Sequence, residues 1–237
     1  MKLAIMQPYF LPYIGYWQLL SAVDKFVIYD DVNFINRGWI NRNQLLVQGK
    51  SSMFTIPLVE ASQNKKINEI DIVDSALWKH KLLKTIRYNY AKAPYFEVVN
   101  RLMEQIILFN EFNLSRYISN SLDQIVNYLG FKVEIVFSSN LYNNQEFSGA
   151  ERILDICKQE GATVYINPMG GHALYDKKEF MSQGIDLKFL RPNTLNYFQQ
   201  QTQGTSFQFV PNLSILDILM NVEKSEIKEI LNQFELT

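Results

Sequence analysis

The chain has 237 residues, 47% of them hydrophobic, so it can bury a full core as one large domain or two small ones. Its 23 basic and 24 acidic side chains give a formal net charge of -1. This balance supplies no electrostatic reason to expect a nucleic acid or an anionic membrane as the main partner, although it is compatible with a local basic patch. The single cysteine, Cys157, excludes an internal disulfide and a thiolate metal site and fits a reducing compartment.

The N-terminus lacks the pattern of a targeting segment. The apolar run over residues 3–6 stops at Gln7 and Pro8, which is too short for a signal-peptide core. No run approaches the ~20 apolar residues that span a bilayer. We therefore expect a cytoplasmic protein without membrane insertion.

The first thirty residues follow a strand, helix, strand pattern. Residues 3–6 read as a strand buried on both faces, and Pro8 and Pro12 exclude a regular helix from the loop that follows. Apolar residues then recur at helical spacing over 13–23, and residues 26–29 form a second apolar strand. Such a βαβ unit requires parallel pairing of the two strands.

The middle of the chain changes from loop to helix. Residues 33–43 are polar and typical of a loop. A helical block over about 76–130 follows, ended by Gly130, and it could pack as a lid or subdomain. The predicted elements here are strands over 54–56 and 67–72 and helices over 76–90, 95–109 and 113–129.

The C-terminal half returns to an alternation of strands and helices. This alternation predicts an α/β domain with a largely parallel sheet and flanking helices. No repeat, low-complexity tract or Gly/Ser/Pro-rich linker marks a boundary, so residues 1–237 are treated as a single domain. The predicted strands are 131–137, 163–166 and 185–190, and the predicted helices are 149–160, 173–183, 215–221 and 224–234.

Polar side chains follow most of these strands. In open parallel sheets, ligands bind beyond the carboxyl ends of the strands. If the strands run in the same direction, the polar tips meet along one edge of the sheet. The tips are Gln7-Pro8-Tyr9, Asp30-Asp31, Ser138-Ser139-Asn140, residues 167–172 and Arg191-Pro192-Asn193.

The tip at 167–172 is the most informative. Gly170 and Gly171 lie between a predicted strand and a predicted helix, where backbone amides can approach an anion, and Asn167 precedes them. His172 could act there as an acid, a base or a phosphate contact. The alternative is a tight turn in which His172 caps the helix. A P-loop is excluded because the Gly-Lys-Ser/Thr ending is absent.

Asp30 and Asp31 form a second candidate group. They could bind a metal, orient an amine or hydroxyl, or act as a general base; the alternative is a turn in which Asp31 caps a loop. The sequence assigns no residue as a definite metal ligand, and the residues identify no cofactor. With His80 and His172 as the two histidines, a histidine-rich metal site is not expected.

The loop over residues 36–43 is rich in amide and guanidinium groups. Arg37 and Arg42 could each hold a phosphate or carboxylate, and Trp39 could stack on a sugar or a base. Asn41 and Asn43 add hydrogen-bonding groups, and a solvated loop is the alternative. A further cluster of aromatic candidates lies just past the first strand: Tyr9, Tyr13 and Tyr16.

The chain resembles the WbqC-like family over nearly its whole length. Proteins of this family are associated with O-antigen and capsule gene clusters, and glycine transfer to a sugar has been proposed for a member. The segments that carry the resemblance are 6–19 (MQPYFLPYIGYWQL), Asp24 with 26–32 (FVIYDDV), 37–43 (RGWINRN), 54–58 (FTIPL), 93–96 (APYF), Tyr165 with Asn167-Pro168 and Gly170-Gly171, and 213–217 (LSILD).

A second, weaker resemblance concerns the fold. A strand, a loop ending in Pro12-Tyr13-Ile14-Gly15-Tyr16 and a helix are similar to the layout of nucleotidyltransferases and class I aminoacyl-tRNA synthetases, which have a HUP-like fold. Tyr13 and Tyr16 stand where those enzymes carry histidines that contact phosphates. This substitution argues against adenylyl-transfer chemistry, and an argument from fold to activity is analogy.

The resemblance implies an enzyme of surface-polysaccharide synthesis. The first hypothesis is a transferase that moves a small activated group, with glycyl as the candidate, onto a nucleotide-linked or lipid-linked amino sugar. His172 or Asp30 and Asp31 would accept a proton, and Arg37 and Arg42 with the glycine loop would hold phosphates. A charged tRNA as donor is conceivable but is not indicated by the charge. The alternatives are a glycosyltransferase that uses a nucleotide sugar and a non-catalytic partner of the assembly enzymes.

Overall fold

A mostly parallel sheet forms the centre of the molecule. The computed structural model describes residues 1–199 and 208–237. Within these residues a six-stranded sheet has the order β10-β9-β8-β1-β2-β7, and β10 alone in that sheet runs antiparallel to its neighbour. The strands are β1 (Lys2–Met6), β2 (Lys25–Ile28), β3 (Arg42–Val47), β4 (Lys50–Thr55), β5 (Leu58–Val59), β6 (Asp71–Ile72), β7 (Glu134–Val136), β8 (Val164–Pro168), β9 (Asp186–Pro192) and β10 (Phe234–Leu236).

Helices cover both faces of this sheet. Along β1, Leu3 and Ile5 pack on one side with α5 and α6, whereas Ala4 packs on the other side with α1, α7 and α8. This alternation follows from the opposite directions of successive side chains in a strand. The helices are α1 (Ile14–Ser21), α2 (Ala76–Tyr90), α3 (Phe96–Ile107), α4 (Leu114–Leu129), α5 (Gly149–Gln159), α6 (Lys177–Ser182), α7 (Ile215–Asn221) and α8 (Lys224–Leu231).

The predicted α/β class with a largely parallel sheet is therefore confirmed. The sheet has the doubly wound order: the chain moves from β1 to β2 and β7 on one side, then returns to β8 and β9 on the other side of β1. The helical block α2–α4 and two short hairpins, β3–β4 and β5–β6, lie in the connection between β2 and β7. A role of the helical block as a lid or subdomain stays a prediction.

Local sequence signals explain the bounds of the helical block. Ser75 and Asn113 precede α2 and α4, and their side-chain oxygens accept hydrogen bonds from the backbone N–H groups of Leu77 and Arg116. Gly130 ends α4 with a φ of 74°, in the left-handed region that glycine adopts without steric cost. No helix of the described residues combines the length and apolar character that a membrane crossing requires.

Three sequence predictions of secondary structure were wrong. A helix does not begin at Ala173: a 3-10 helix (Met169–Leu174) comes first, and α6 begins only at Lys177, because the Asp176 side chain caps it there. The predicted strand over 67–72 begins as a 3-10 helix, Ile67–Glu69. The last predicted helix ends at Leu231, and the chain then forms the edge strand β10.

Candidate functional site

A cavity of about 880 Å³ opens at the carboxyl ends of β1 and β8. These two strands are neighbours, and the chain leaves them toward opposite edges of the sheet, so the cavity lies at the topological switch point. Gln7 follows β1, and Asn167 lies near the end of β8. The predicted convergence of distant polar tips is confirmed for these two strands.

The walls of this cavity are uncharged and combine polar groups with a larger apolar surface. None of the described residues that line it is Asp, Glu, His, Lys or Arg. Amide groups and phenols alternate with short apolar surfaces, the composition that suits hydroxyl- and amide-bearing ligands. The lining residues are Ile5, Met6, Gln7, Tyr9, Pro12, Tyr13, Tyr16, Tyr29, Trp39, Asn43, Gln44, Ile153, Asn167, Pro168, Gly170, Gly171, Leu174, Tyr175, Pro211 and Asn212.

Several of the lining side chains have hydrogen-bonding groups without a protein partner. Within the part of the chain that the structure describes, the side chains of Gln7, Tyr9, Tyr13 and Asn167 make no hydrogen bond. Asn167 is only 6% exposed. Since buried polar groups in folded proteins almost always have partners, an unpaired amide that faces a cavity indicates a place where a ligand or water binds.

The loop after β1 is held by buried polar groups. The Asn43 side chain donates to the carbonyl of Leu11 (2.8 Å), and Ser214 Oγ donates to the same carbonyl (2.8 Å). Trp17 Nε1 donates to the carbonyl of Pro12 (3.0 Å). Leu11 has a φ of 47°, an unfavourable conformation that these bonds help to maintain. Tyr9 and Tyr13 are thereby fixed at the cavity.

Two glycines leave space for cavity side chains. A Cβ at Gly15 would lie 2.5 Å from Cε2 of Tyr13, and a Cβ at Gly171 would lie 2.0 Å from Nδ2 of Asn167. Both distances are far below van der Waals contact, so an alanine at either position would displace the neighbouring side chain. A Cβ at Gly170, by contrast, would meet no atom within 4 Å.

The phenols of the cavity remain protonated at neutral pH. Burial raises the pKa of Tyr9 and Tyr13 above the ordinary value of 10.0, and it raises the pKa of Tyr16 further. The same cause raises the pKa of Tyr29 and Tyr175. The cavity therefore presents hydroxyl donors and no phenolate over the physiological range.

A buried ion pair lies behind the cavity wall. The Arg152 guanidinium pairs with the Asp31 carboxylate, and the two side chains are 5% and 0% exposed. The Arg152 guanidinium also lies over the ring of Tyr29, 5.1 Å from its centre. Burial opposes ionisation of Asp31, but hydrogen bonds from Ser139 and Arg152 outweigh it and lower the Asp31 pKa. This pair supports Tyr29 from below the cavity.

Asp30 ties three elements together. Its carboxylate accepts from Ser115 Oγ of α4 (2.6 Å), from Ser138 Oγ (2.7 Å) and from the Ser139 backbone N–H (3.2 Å). Burial raises the Asp30 pKa above its ordinary value despite these bonds. No group of three or more His, Cys, Asp or Glu side chains that could hold a metal occurs among the described residues.

The structure brings together most of the predicted binding residues. Asp30 and Asp31 lie behind the wall, Asn41 donates to the carbonyl of Ile56 (2.9 Å), and Arg42 donates to the carbonyls of Arg37 and Gly38. Six of the predicted residues therefore do not line the cavity: Asp30, Asp31, Arg37, Asn41, Arg42 and His172. Those that do line it are Gln7, Tyr9, Tyr13, Tyr16, Trp39, Asn43, Asn167, Gly170 and Gly171.

His172 does not line the cavity, although the sequence suggested a role for it at the site. It lies in the 3-10 helix, exposed, with its ring 4.8 Å from the ring of Phe189 on β9. The expected junction of Gly170 and Gly171 with an α-helix does not form, because α6 begins at Lys177. The helix N-terminus expected beside the glycines is therefore absent, and Gly171 makes room for Asn167. Anion binding by the backbone amides of the two glycines stays a prediction.

Several cavity residues were not identified from the sequence. Tyr29 directly follows β2, and Tyr175 follows the 3-10 helix. From the sequence they belonged to a predicted strand and a predicted helix, and no binding role was assigned to them. Arg152 occupies a buried position one turn before Ile156 in α5. An arginine within an apolar helical stripe is a signal of a buried ion pair, and it could have been found in this way.

Comparisons with known proteins agree with the earlier resemblance. A family model described as the WbqC-like protein family matches residues 7–229. An uncharacterized protein of Mycobacterium tuberculosis is 30% identical over 227 residues, which cover 93% of this chain and 94% of that protein. No solved structure matches the chain. The match spans the β1 loop, the Asp30-Asp31 tip and the glycine pair, so the chain belongs to the WbqC-like protein family.

Proposed function

We propose that the chain is a transferase in the synthesis of a bacterial surface polysaccharide, and that its switch-point cavity binds an amino sugar acceptor, either nucleotide-linked or lipid-linked. The role in polysaccharide synthesis rests on the family resemblance. The observation that carries the binding site is the set of unpaired amides and phenols from Gln7, Tyr9, Tyr13 and Asn167. Such groups can donate to and accept from sugar hydroxyls and an amino group.

The uncharged lining favours a reaction that depends on positioning. In aminoacyl transfer, the sugar amine attacks an activated carbonyl, an amide bond forms, and the bond to the leaving group breaks. The proton that the amine loses passes to the departing group or to water. The main requirements are orientation of the amine and hydrogen bonds to the carbonyl oxygen. Protonated phenols and backbone N–H groups of Gly170 and Gly171 are the groups at hand for the second requirement. Glycyl is the candidate donor group.

The state of Asp31 argues against the glycosyltransferase alternative. That mechanism would use Asp30 and Asp31 to hold a divalent metal on a nucleotide diphosphate. Asp31 is paired with Arg152, and Asp30 accepts three hydrogen bonds from the protein. Both carboxylates are thus occupied and lie outside the cavity lining.

The reaction can be tested by mass spectrometry. Purified protein is incubated with nucleotide-linked amino sugars, glycine and ATP, with and without charged tRNA. A mass increase equal to one glycyl residue on the sugar is expected under one donor condition. Absence of product under every donor condition, with a properly folded protein, would overturn the aminoacyl-transfer proposal. Release of a nucleoside diphosphate in a metal-dependent manner would favour the glycosyltransferase instead.

The biological role can be tested in the producing bacterium. We expect deletion of the gene to remove a small substituent from the surface polysaccharide while the sugar backbone keeps its length. Mass spectrometry of polysaccharide from the deletion strain and the parent strain measures this change. Truncation at one sugar would contradict the proposed reaction, and an unchanged polysaccharide would contradict the proposed pathway.

Binding of the sugar should depend little on salt. Because none of the described lining residues is charged, the affinity for an amino sugar with a free amine, which is positively charged when protonated, should change by less than about twofold between about 50 and about 500 mM salt. Saturation-transfer NMR measures the affinity directly. A steep decrease with salt would show that ion pairs hold the ligand and would place its site elsewhere.

A further inference from the structure

Asn212 lines the switch-point cavity with an amide that the protein leaves unoccupied. Within residues 1–199 and 208–237, no group makes a hydrogen bond with this side chain. A side-chain amide offers two N–H donors and an acceptor oxygen, the same groups that Gln7 and Asn167 present in the same cavity. Asn212 is therefore chemically suited to a ligand, and the question is whether its position is fixed.

The backbone of Asn212 has an uncommon conformation. Its φ is 58°, in the left-handed region that asparagine adopts more readily than most other residues with a side chain. Pro211 precedes it, and the proline ring restricts φ at that position to a narrow range. A sparsely populated conformation at a cavity wall is typical of ligand-binding sites, where the surrounding structure maintains it.

Gln199 holds the chain on one side of Asn212. The Gln199 side chain is 0% exposed; it accepts from the Val210 backbone N–H (2.9 Å) and donates to the Val210 carbonyl (2.9 Å). One amide thus binds both backbone groups of the residue that lies two positions before Asn212. This fixes the chain where it enters the cavity wall.

Asp217 determines the orientation of the Gln199 amide. Its buried carboxylate accepts from Gln199 Nε2 (3.0 Å), from the Tyr197 hydroxyl (2.7 Å) and from the Tyr90 hydroxyl (2.9 Å). Because a carboxylate can only accept, the NH2 group of Gln199 must face Asp217, which leaves the amide oxygen for the Val210 N–H. Tyr90 belongs to α2, so the same network joins the cavity wall to the helical block.

Ser214 holds the chain on the other side of Asn212. Its backbone N–H donates to the carbonyl of Gln44 (2.9 Å), its hydroxyl donates to the carbonyl of Leu11 (2.8 Å), and it forms an isolated bridge with Tyr13. Gln44 and Tyr13 both line the cavity. Backbone contacts therefore fix the Asn212 segment beside these two lining residues.

We propose that Asn212 is a further ligand-binding residue of the cavity, which hydrogen-bonds a hydroxyl of the acceptor sugar, and that Gln199 and Asp217 are positioning residues that act through it. The anchors at Val210 and Ser214 hold the segment in place before the ligand arrives, so little order has to be gained on binding. The inference deepens the proposed function and rests on it, because the ligand is the same amino sugar.

The role of Asn212 can be tested with a nucleotide-linked amino sugar that has a free amine. Asn212→Gly removes the amide and keeps the left-handed backbone, because glycine adopts this conformation without steric cost. We expect the affinity, measured by saturation-transfer NMR, to fall about tenfold, the loss expected for one hydrogen bond in a desolvated site. Thermal unfolding should stay near that of the wild type.

Asn143→Gly is the matched control. Asn143 also has a positive φ, of 50°, and is exposed, but it lies outside the cavity lining, so this variant should bind the sugar like the wild type. Wild-type affinity in Asn212→Gly, or an equal loss in both variants, would overturn the role of Asn212. Failure of the wild-type protein to bind the sugar would instead overturn the proposed function, and this inference with it.

A double-mutant cycle tests the positioning role of Gln199. Gln199→Leu removes the hydrogen bonds to Val210 and should weaken binding about three- to tenfold when Asn212 is present. In the Asn212→Gly background it should cause no further loss, whereas a general loss of stability would weaken binding equally in both backgrounds. Equal losses would overturn the positioning role.

Tyr197→Phe provides a milder variant of the same test. It removes a single hydrogen bond to Asp217, so it should follow the same pattern as Gln199→Leu with a smaller loss of affinity. It takes the place of Gln199→Leu in the cycle if thermal unfolding shows that the latter does not fold. A loss that persists undiminished in the Asn212→Gly background would contradict action through Asn212.

Discussion

Replacing Asp31 by asparagine should destabilise the protein by about 3–5 kcal/mol, because it leaves the buried Arg152 guanidinium without its counter-charge. The variant also weakens the hydrogen bonds that Ser139 and Gln145 donate to the Asp31 carboxylate. Urea unfolding followed by circular dichroism measures the difference. A loss of this size is a large part of the stability of an ordinary domain.

Glu146→Gln provides the control for that change. Glu146 lies next to Gln145 but is exposed, so its neutralisation should alter the unfolding free energy by less than about 0.5 kcal/mol. If the Asp31 and Glu146 variants were equally stable, the buried pair would not hold the wall of the cavity as described.

The loss of stability caused by Asp31→Asn should also depend on pH. The Asp31 pKa in the folded protein is lowered from its ordinary value of 3.8, so the pair stabilises the fold above that pH, and this contribution is lost as the pH falls through the folded-state pKa. The difference in unfolding free energy between wild type and Asp31→Asn should be constant between about pH 5 and pH 8. Below about pH 3.8 it should shrink. A difference that grows on acidification would contradict the assignment.

Replacing Gly171 by alanine should weaken sugar binding by roughly 10- to 100-fold, the loss expected when a buried polar contact worth about 1–3 kcal/mol is removed. The new Cβ would lie 2.0 Å from Nδ2 of Asn167 and must displace that side chain from the cavity. Saturation-transfer NMR with an amino sugar that carries a free amine measures the affinity, and urea unfolding measures the accompanying loss of stability.

The adjacent glycine supplies the matched control. Gly170→Ala adds the same methyl group where nothing lies within 4 Å, and Gly170 does not have a positive φ, so stability and binding should stay near wild type. The cause can be isolated with Asn167→Ala: in that background Gly171→Ala should cost little stability, because the clashing amide is absent. Equal costs in both backgrounds would show that Asn167 is not the group displaced.

Where local signals were strong, the sequence was sufficient to predict the fold. Ser75, Asn113 and Gly130 are capping residues whose chemistry determines where α2 and α4 begin or end, and both helices lie within one residue of the prediction. The short edge strand β10 was missed because three residues that pair only with β9 carry no periodic pattern of their own.

The candidate site likewise contains residues that could be predicted from the sequence and others that could not. Gln7 and Asn167 could be predicted because parallel strands bring their carboxyl ends to one edge. The placement of His172 depends on whether the turn after β8 continues as a 3-10 helix or as an α-helix, and on its ring contact with Phe189, which is distant in sequence. Likewise, the apolar helical stripe indicates that Arg152 is buried and paired, but its partner Asp31 is far away in the chain, so only the fold identifies the partner.

A crystal structure of the protein with a nucleotide-linked amino sugar tests the location of the site most directly. Ligand density is expected between the ends of β1 and β8, with sugar oxygen or nitrogen atoms within hydrogen-bonding distance of the Gln7 and Asn167 amides and of the Tyr13 hydroxyl. Sugar density at another surface, with this cavity holding only water at saturating ligand, would contradict the assignment.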